Sequence, residues 1–256
     1  MELRLPASLG SAYQSKSQQA RVVSESWGKD ELFCAACVSD TLDSLKNNTA
    51  ASDFQCPACR ERYQLKSQSR PFTRRVLGAN YQKMCDAIAA ETAPSYYLLH
   101  YARASWTVRD LMLVPHLSIT LSALVKRPPL RATARRASWE GYCLDLDQVP
   151  TAAKIIVVRD GAERPTAEVR ADYARIAPVL KLKPESRGWT LDVLRCVERL
   201  KINPFRNEDV YAFESELAAL HPENRHVIPK IRQQLQVLRD TGLIEHVERG
   251  VWRRRA

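Results

Sequence analysis

The chain has 256 residues, and 39 Lys+Arg against 29 Asp+Glu leave a net charge of +10. With 45 % apolar residues it can bury a core, which excludes a fully disordered protein. No stretch reaches the roughly 18 uninterrupted apolar residues of a membrane span; Pro115 and His116 break the best candidate, Leu111 to Val125. The opening Met-Glu-Leu-Arg lacks the basic-then-apolar layout of a signal peptide. A soluble, cytoplasmic, basic protein of one or two domains is expected.

In chain order, Ser11 to Trp27 is mostly polar, with Ala12, Ala20, Val22 and Val23 giving a modest helical face. Phe33 to Cys59 is irregular and cysteine-bearing. Tyr63 to Ser67 predicts a short strand and Leu77 to Thr92 a helix. Tyr96 to Tyr101 and Trp106 to Val114 are rich in strand formers and predict a hairpin. Lys154 to Val158 predicts a strand ended by Asp160-Gly161. Helices at both ends with strands between indicate an α/β core spanning residues 1–182.

Lys181 to Gly188 is polar and carries Pro184 and Gly188, so the domain boundary is placed there, with a second domain over 183–256. Thr190 is expected to cap a helix to Leu200, and Asn207 another through Leu220. A third runs from Pro229 to Thr241, with Ile228, Ile231, Leu235 and Leu238 at helical spacing. Leu243 to Val247 and Val251 to Arg253, joined by Glu248-Arg249-Gly250, look like a two-stranded wing. Three helices and a hairpin make an α+β winged helix, a relative of helix-turn-helix.

Seven cysteines, an odd number, argue against a complete disulfide framework. Cys34-x2-Cys37 and Cys56-x2-Cys59 are separated by 18 residues. That spacing lets two knuckles share one tetrahedral ion, and four thiolates leave no open position, so structural Zn2+ is expected. A redox pair or coincidence is the alternative. Cys85, Cys143 and Cys196 lie singly in apolar surroundings and read as packing residues.

Asp53 precedes the second knuckle, and Gln64-Leu65-Lys66 follows it on the predicted strand. Alternation puts Gln64 and Lys66 on one face. Asp, about ten residues, then acid-x-Lys is the spacing of PD-(D/E)xK nucleases. There, oxygen ligands hold Mg2+ at the scissile phosphate, and a lysine orients water and offsets developing charge. A solvated strand end accounts for the same residues on spacing alone.

Leu121 to Trp139 carries Lys126, Arg127, Arg131, Arg135 and Arg136 and no acid. The third helix of the second domain carries Lys230, Arg232, Gln233, Gln234, Gln236 and Arg239 beside its apolar stripe. Arg and Gln suit base edges in the major groove, and the charge of +10 favours DNA over a protein-contact role.

Together these residues resemble one family, the DpnI-like methyl-directed restriction endonucleases, also called Dam-replacing proteins. The likeness runs over nearly the whole chain. It is carried by the opening Met-Glu-Leu, Asn47-Asn48, Asp53-Phe54, both cysteine knuckles and Gln64-Leu65-Lys66-Ser67. It continues through Thr133 to Ala137 with Trp139, Ser186 to Trp189, Phe213-Glu214-Ser215 and the long run Ile231 to Asp240. The resemblance implies a PD-(D/E)xK nuclease domain with a zinc-bearing insertion over 34–59, then a DNA-binding winged helix. It implies Mg2+-dependent cleavage of double-stranded DNA at GATC carrying 6-methyladenine.

Carried onto this chain, Asp53 and Lys66 match the nuclease motif, and the Leu65 carbonyl is a further Mg2+ ligand. The family's acidic residue is Gln64 here, which keeps an oxygen donor but loses a charge that hard cations favour. Glu25, on the first predicted helix, is either a supporting metal ligand or a surface glutamate. Trp139, beside Arg135 and Arg136, would wall the adenine methyl, which projects into the major groove. A core tryptophan is the alternative there. Trp189 reads as core. A monomer is expected in solution. The rival readings are a methylated-DNA binding protein whose nuclease site is weakened or inactive through Gln64, and a winged-helix regulator without nuclease ancestry.

Overall fold

The structure, a computed structural model, describes residues 1–46, 52–129, 133 and 139–255. Two compact units emerge, Met1–Leu146 with Ala153–Tyr173, and Asp147–Ala152 with Ala174–Ala256.

The first unit is built on a seven-stranded mixed sheet. Its strands are β1 (Asp43–Ser44), β2 (Phe54–Gln55), β3 (Arg62–Gln68), β5 (Ser95–Ala102), β6 (Thr107–Val114), β9 (Ile155–Arg159) and β10 (Ala162–Glu163), in that spatial order. Among the described residues only β3 and β5 pair in parallel, Gln64 opposite Tyr96 and Lys66 opposite Leu98. The crossover between them carries β4 (Arg75–Asn80) and helix α2 (Tyr81–Ala89). A second, three-stranded sheet has the order β4, β8 (Gly141–Asp145), β7 (Leu124–Lys126).

The strands form where alternation and bulky β-formers predict them. In the β5–β6 hairpin Tyr97, Leu99, Leu111 and Leu113 are fully buried. The helix expected over Leu77 to Thr92 is corrected. Its first turn is strand, because Leu77 pairs with Cys143 and Val76 with Leu144. The helix starts only where Asn80 Oδ1 accepts the Lys83 N–H at 2.8 Å.

Helix α1 (Lys16–Glu31) lies on β3 through Val23, Ser24, Trp27 and Gly28. Gly28 makes that approach possible. A Cβ there would stand 3.0 Å from the Phe54 ring and 3.1 Å from Leu65. Ser24 Oγ and Ser67 Oγ, 2.9 Å apart, fix the helix in rotation. Leu65 and Ser67 therefore face α1, and Gln64 and Lys66 point from the other face of β3.

Helix α3 (Thr166–Leu180) runs through the division between the units. In the second unit follow α4 (Pro184–Arg199), β11 (Phe205–Arg206), α5 (Asn207–Tyr211), α6 (Glu214–Leu220), α7 (Val227–Asp240), β12 (Ile244–Glu248) and β13 (Val251–Arg254). Two sequence expectations shift. Thr190 is not a cap. Pro184 opens α4 and Thr190 lies buried inside it, its hydroxyl donating to the Ser186 carbonyl. The helix expected from Asn207 through Leu220 is two helices, and the wing has a third strand, ordered β11, β13, β12.

Helix α7 buries Ile231, Leu235 and Leu238, all at 0 % exposure, and packs on α4. Each such side chain stabilises the unit by about 1.5–3 kcal/mol. Trp252 anchors the wing by donating its indole N–H to Asn207 Oδ1 at 2.8 Å. Among the described residues no helix is long and apolar enough to cross a membrane.

Candidate active site and four-cysteine centre

The β2–β3 hairpin carries both constellations. Asp53 enters it, Cys56 and Cys59 lie at its turn, and Gln64, Leu65 and Lys66 lie on its return strand.

Cys34 and Cys37 form the opposing knuckle just past the end of α1. The four thiols are free and lie within 4.8 Å of one another. The Cys34–Cys59 and Cys37–Cys56 sulfurs are each 3.5 Å apart. A tetrahedron with metal–sulfur bonds of about 2.3 Å has edges of about 3.8 Å, so this cage could hold zinc with little adjustment. Burial raises the Cys56 thiol, but the backbone N–H groups of Cys59 and Ala58 outweigh it and bring the pKa down to about 6. The cage thus already favours one thiolate.

Sequence reasoning missed the residues that brace this cage. The Tyr63 hydroxyl stands 3.0 Å from Cys34 Sγ. Arg170 donates to the Cys34 carbonyl at 3.2 Å, to the Ser39 carbonyl at 2.8 Å and to Asp40 at 2.9 Å. Arg170 lies 130 to 136 residues from these partners, and no local pattern announces such contacts.

Asp53 is positioned by the same hairpin. Its N–H donates to the Tyr63 carbonyl at 2.9 Å, and its Oδ2 accepts the Leu65 N–H at 2.9 Å. Burial pushes its carboxyl above the usual range. The Leu65 N–H opposes that rise, Glu25 adds to it, and Lys66 and Arg21 oppose it. Burial likewise pushes the Lys66 ammonium below its usual value, with Asp53 acting the other way. Asp53 is thus acted on by Glu25 from the α1 side of the sheet and by Lys66 from the other. The Asp53 carboxylate, with the Gln64 amide and the Leu65 carbonyl on the facing strand, offers oxygen donors of the kind a hard divalent cation takes.

A cleft of about 350 Å³ opens beside Asp53 and is lined also by Arg21, Glu25, Lys29 and Lys46. Arg21 Nε and Glu25 Oε1 form an ion pair at 2.8 Å on consecutive turns of α1.

The expected DNA-facing residues fall into three groups. Arg131, Arg135 and Arg136 lie outside the described residues. Trp139 is half-buried, with its ring packed over Gly141, where a Cβ would meet it at 2.8 Å. On α7, Arg232, Gln233, Gln236 and Arg239 are exposed and Lys230 is half-buried. Arg232 bonds to the Tyr211 hydroxyl, and Arg239 pairs with Asp240 at 2.7 Å. Gln234 is corrected: it is 0 % exposed, with its side-chain amide 2.6 Å from the Thr190 hydroxyl, so it is a core residue that cannot reach a base edge. Trp189 is core, as expected, stacked on His221 with ring centroids 3.9 Å apart.

Comparison with protein families matches residues 1–182 to the Dam-replacing family, DpnI, and residues 185–254 to the Dam-replacing HTH domain. The helices and three-stranded wing of the second unit are the elements that second match covers. The chain therefore belongs to the DpnI, or Dam-replacing, family, whose members imply methyl-directed restriction.

Proposed function

We propose that the protein is a Mg2+-dependent endonuclease that hydrolyses phosphodiester bonds of double-stranded DNA at GATC carrying 6-methyladenine. In this reading residues 1–182 form a PD-(D/E)xK nuclease domain, and 183–256 a winged helix that reads the site. The observation that carries it is the register of one hairpin, which puts Asp53 against the Leu65 N–H with Lys66 as a nearby counter-charge.

Asp53, Gln64 and Leu65 would hold the Mg2+, whose bound form supplies positive charge at the scissile phosphate and a more acidic water. Lys66 orients the attacking water and offsets negative charge on the phosphoryl oxygens. Its lowered pKa makes a proton at Nζ easier to move than on a solvated lysine. Zinc in the four-cysteine cage holds the hairpin turn and takes no part in the chemistry. Arg131, Arg135 and Arg136 contact phosphates, and Trp139 offers an apolar wall to the adenine methyl. Lys230, Arg232, Gln233, Gln236 and Arg239 present donors to the major groove. The protein is cytoplasmic and monomeric in solution.

The test is cleavage of one plasmid in two forms, GATC-adenine-methylated and unmethylated, with Mg2+ and a Lys66→Ala control. Cutting of the methylated form alone, lost in the control, is the expected result. The neutral side chain at Gln64 favours one second reading, a methylated-DNA binding protein with an inactive nuclease site. Selective binding of the methylated plasmid without cutting would establish that reading instead.

A further inference from the structure

We infer that Tyr63 is the residue through which zinc in the four-cysteine cage sets Asp53, its hydroxyl donating to the Cys34 thiolate and its carbonyl holding the Asp53 N–H. The inference rests on the proposed reading of the cage as a zinc centre, and takes from the nuclease reading only the role of Asp53.

Four thiolates around one divalent ion leave a surplus of negative charge, which donors outside the cage must spread. At the second knuckle the backbone does so, the Cys59 N–H donating to Cys56 Sγ at 3.4 Å. Cys34 opens the other knuckle and lies at 0 % exposure, out of reach of water. Among the described residues no N–H donates to its sulfur, and the Tyr63 hydroxyl stands 3.0 Å from it instead. A metal-bound thiolate has no proton to give, so there the Tyr63 O–H is the donor. A phenylalanine would fill the same volume of core, so packing alone does not call for this hydroxyl.

The backbone of the same residue reaches the other site. The Tyr63 carbonyl accepts the Asp53 N–H at 2.9 Å, and Phe54, next to Asp53, is the partner of Tyr63 across β2 and β3. Tyr97 on β5 packs against the Tyr63 ring, with centroids 5.4 Å apart, and holds it between these two ends. Tyr97 sends its own hydroxyl to the Phe33 carbonyl at 2.6 Å, a backbone atom and not a ligand. Of this buried pair, Tyr63 is the one that touches a ligand sulfur.

Zinc affinity of the full-length protein, read by competition with a chromophoric chelator, gives the first test. Tyr63→Phe should weaken zinc binding about tenfold or more. Tyr97→Phe should lower Tm comparably and leave zinc affinity nearly unchanged. In the Co2+-substituted protein, Tyr63→Phe should move the thiolate-to-cobalt charge-transfer band to lower energy, which a loss of packing alone would not do. At saturating zinc, amide hydrogen exchange at Asp53 should be several-fold faster in Tyr63→Phe than in the wild type. Far-ultraviolet circular dichroism and thermal melts would establish that both variants fold. Wild-type zinc affinity or an unmoved cobalt band in Tyr63→Phe, an equal zinc loss in Tyr97→Phe, or unchanged Asp53 exchange would each overturn the inference. A wild-type protein that takes up no zinc would overturn the zinc reading and the inference with it. Failure of the nuclease reading looks different: Tyr63-dependent zinc binding would persist while neither plasmid was cut.

Discussion

The cysteine cage and the Asp53–Lys66 pair hang on the same hairpin but treat charge in opposite ways. At the turn, four thiols converge, backbone N–H groups already stabilise a thiolate, and Tyr63 and Arg170 brace the knuckle from elsewhere in the unit. A metal ion there would complete a closed shell and add stability. At the other end, burial makes both the Asp53 carboxylate and the Lys66 ammonium less favourable than in water. On the proposed nuclease reading, that end gives up stability to keep two reactive groups poised, a pattern that recurs where chemistry is done. The turn is therefore where substitution should cost stability, and the Asp53 end where it should cost activity alone.

The largest expected effect is at the cage. Cys56→Ser replaces the sulfur that could ligate zinc and that accepts the Cys59 N–H with a neutral hydroxyl, a poor zinc ligand. It should destabilise the protein by several kcal/mol, about 10 °C or more in Tm, and abolish cleavage because the hairpin register is lost. Prolonged chelation should act alike. Melting curves and zinc content, measured together, check this. A Cys56→Ser protein with wild-type Tm would erase the distinction between the two ends.

Next in size is Lys66→Ala. Removing a preorganised electrostatic group should lower the cleavage rate by about 10²–10³. Because burial already works against the ammonium, Tm should not fall, and binding to methylated DNA should persist. Single-turnover cleavage and a melt on the same preparation test both halves. A parallel fall in Tm and rate would make Lys66 a structural residue.

The sequence announces these two regions unequally. The cage is legible because two knuckles and their spacer are local facts. Strands β3, β5, β6 and β9 are legible from alternation, and α7 from its apolar period. Gln64 and Lys66 are legible as neighbours on one face, but the bond from Leu65 N–H to Asp53 is not, since it depends on how β2 registers on β3. The same limit explains the misread elements. Leu77 to Asn80 carry a helical pattern, yet their partners on β8 lie far along the chain. Thr190 is a good cap by residue type, but Pro184 starts the helix earlier. Gln234 looks like a base-reading glutamine until its partner, 44 residues away, buries it. Where the deciding contact is long-range, local chemistry gives the residue type and not the role.

The smallest effect sharpens the comparison most. Asp53→Asn keeps an oxygen to accept the Leu65 N–H, but removes a charge that burial and Glu25 both disfavour. The folded-state pKa of Asp53 lies above its unfolded value near 3.9. As pH rises through that interval the unfolded chain gives up its proton first, so ionising Asp53 lowers stability, and the penalty is complete above the folded-state pKa. Asp53→Asn should therefore raise Tm slightly at pH 7, and the gain should vanish as pH falls toward 4. The rise stays small because Lys66 loses its counter-charge in the same substitution. Cleavage should be abolished throughout. Melts of the two proteins across pH 4–8 read the sign directly. A variant less stable than wild type at pH 7 would mean that Asp53 and Lys66 form a stabilising pair, and that the Asp53 end of the hairpin is built on the same terms as the cysteine turn.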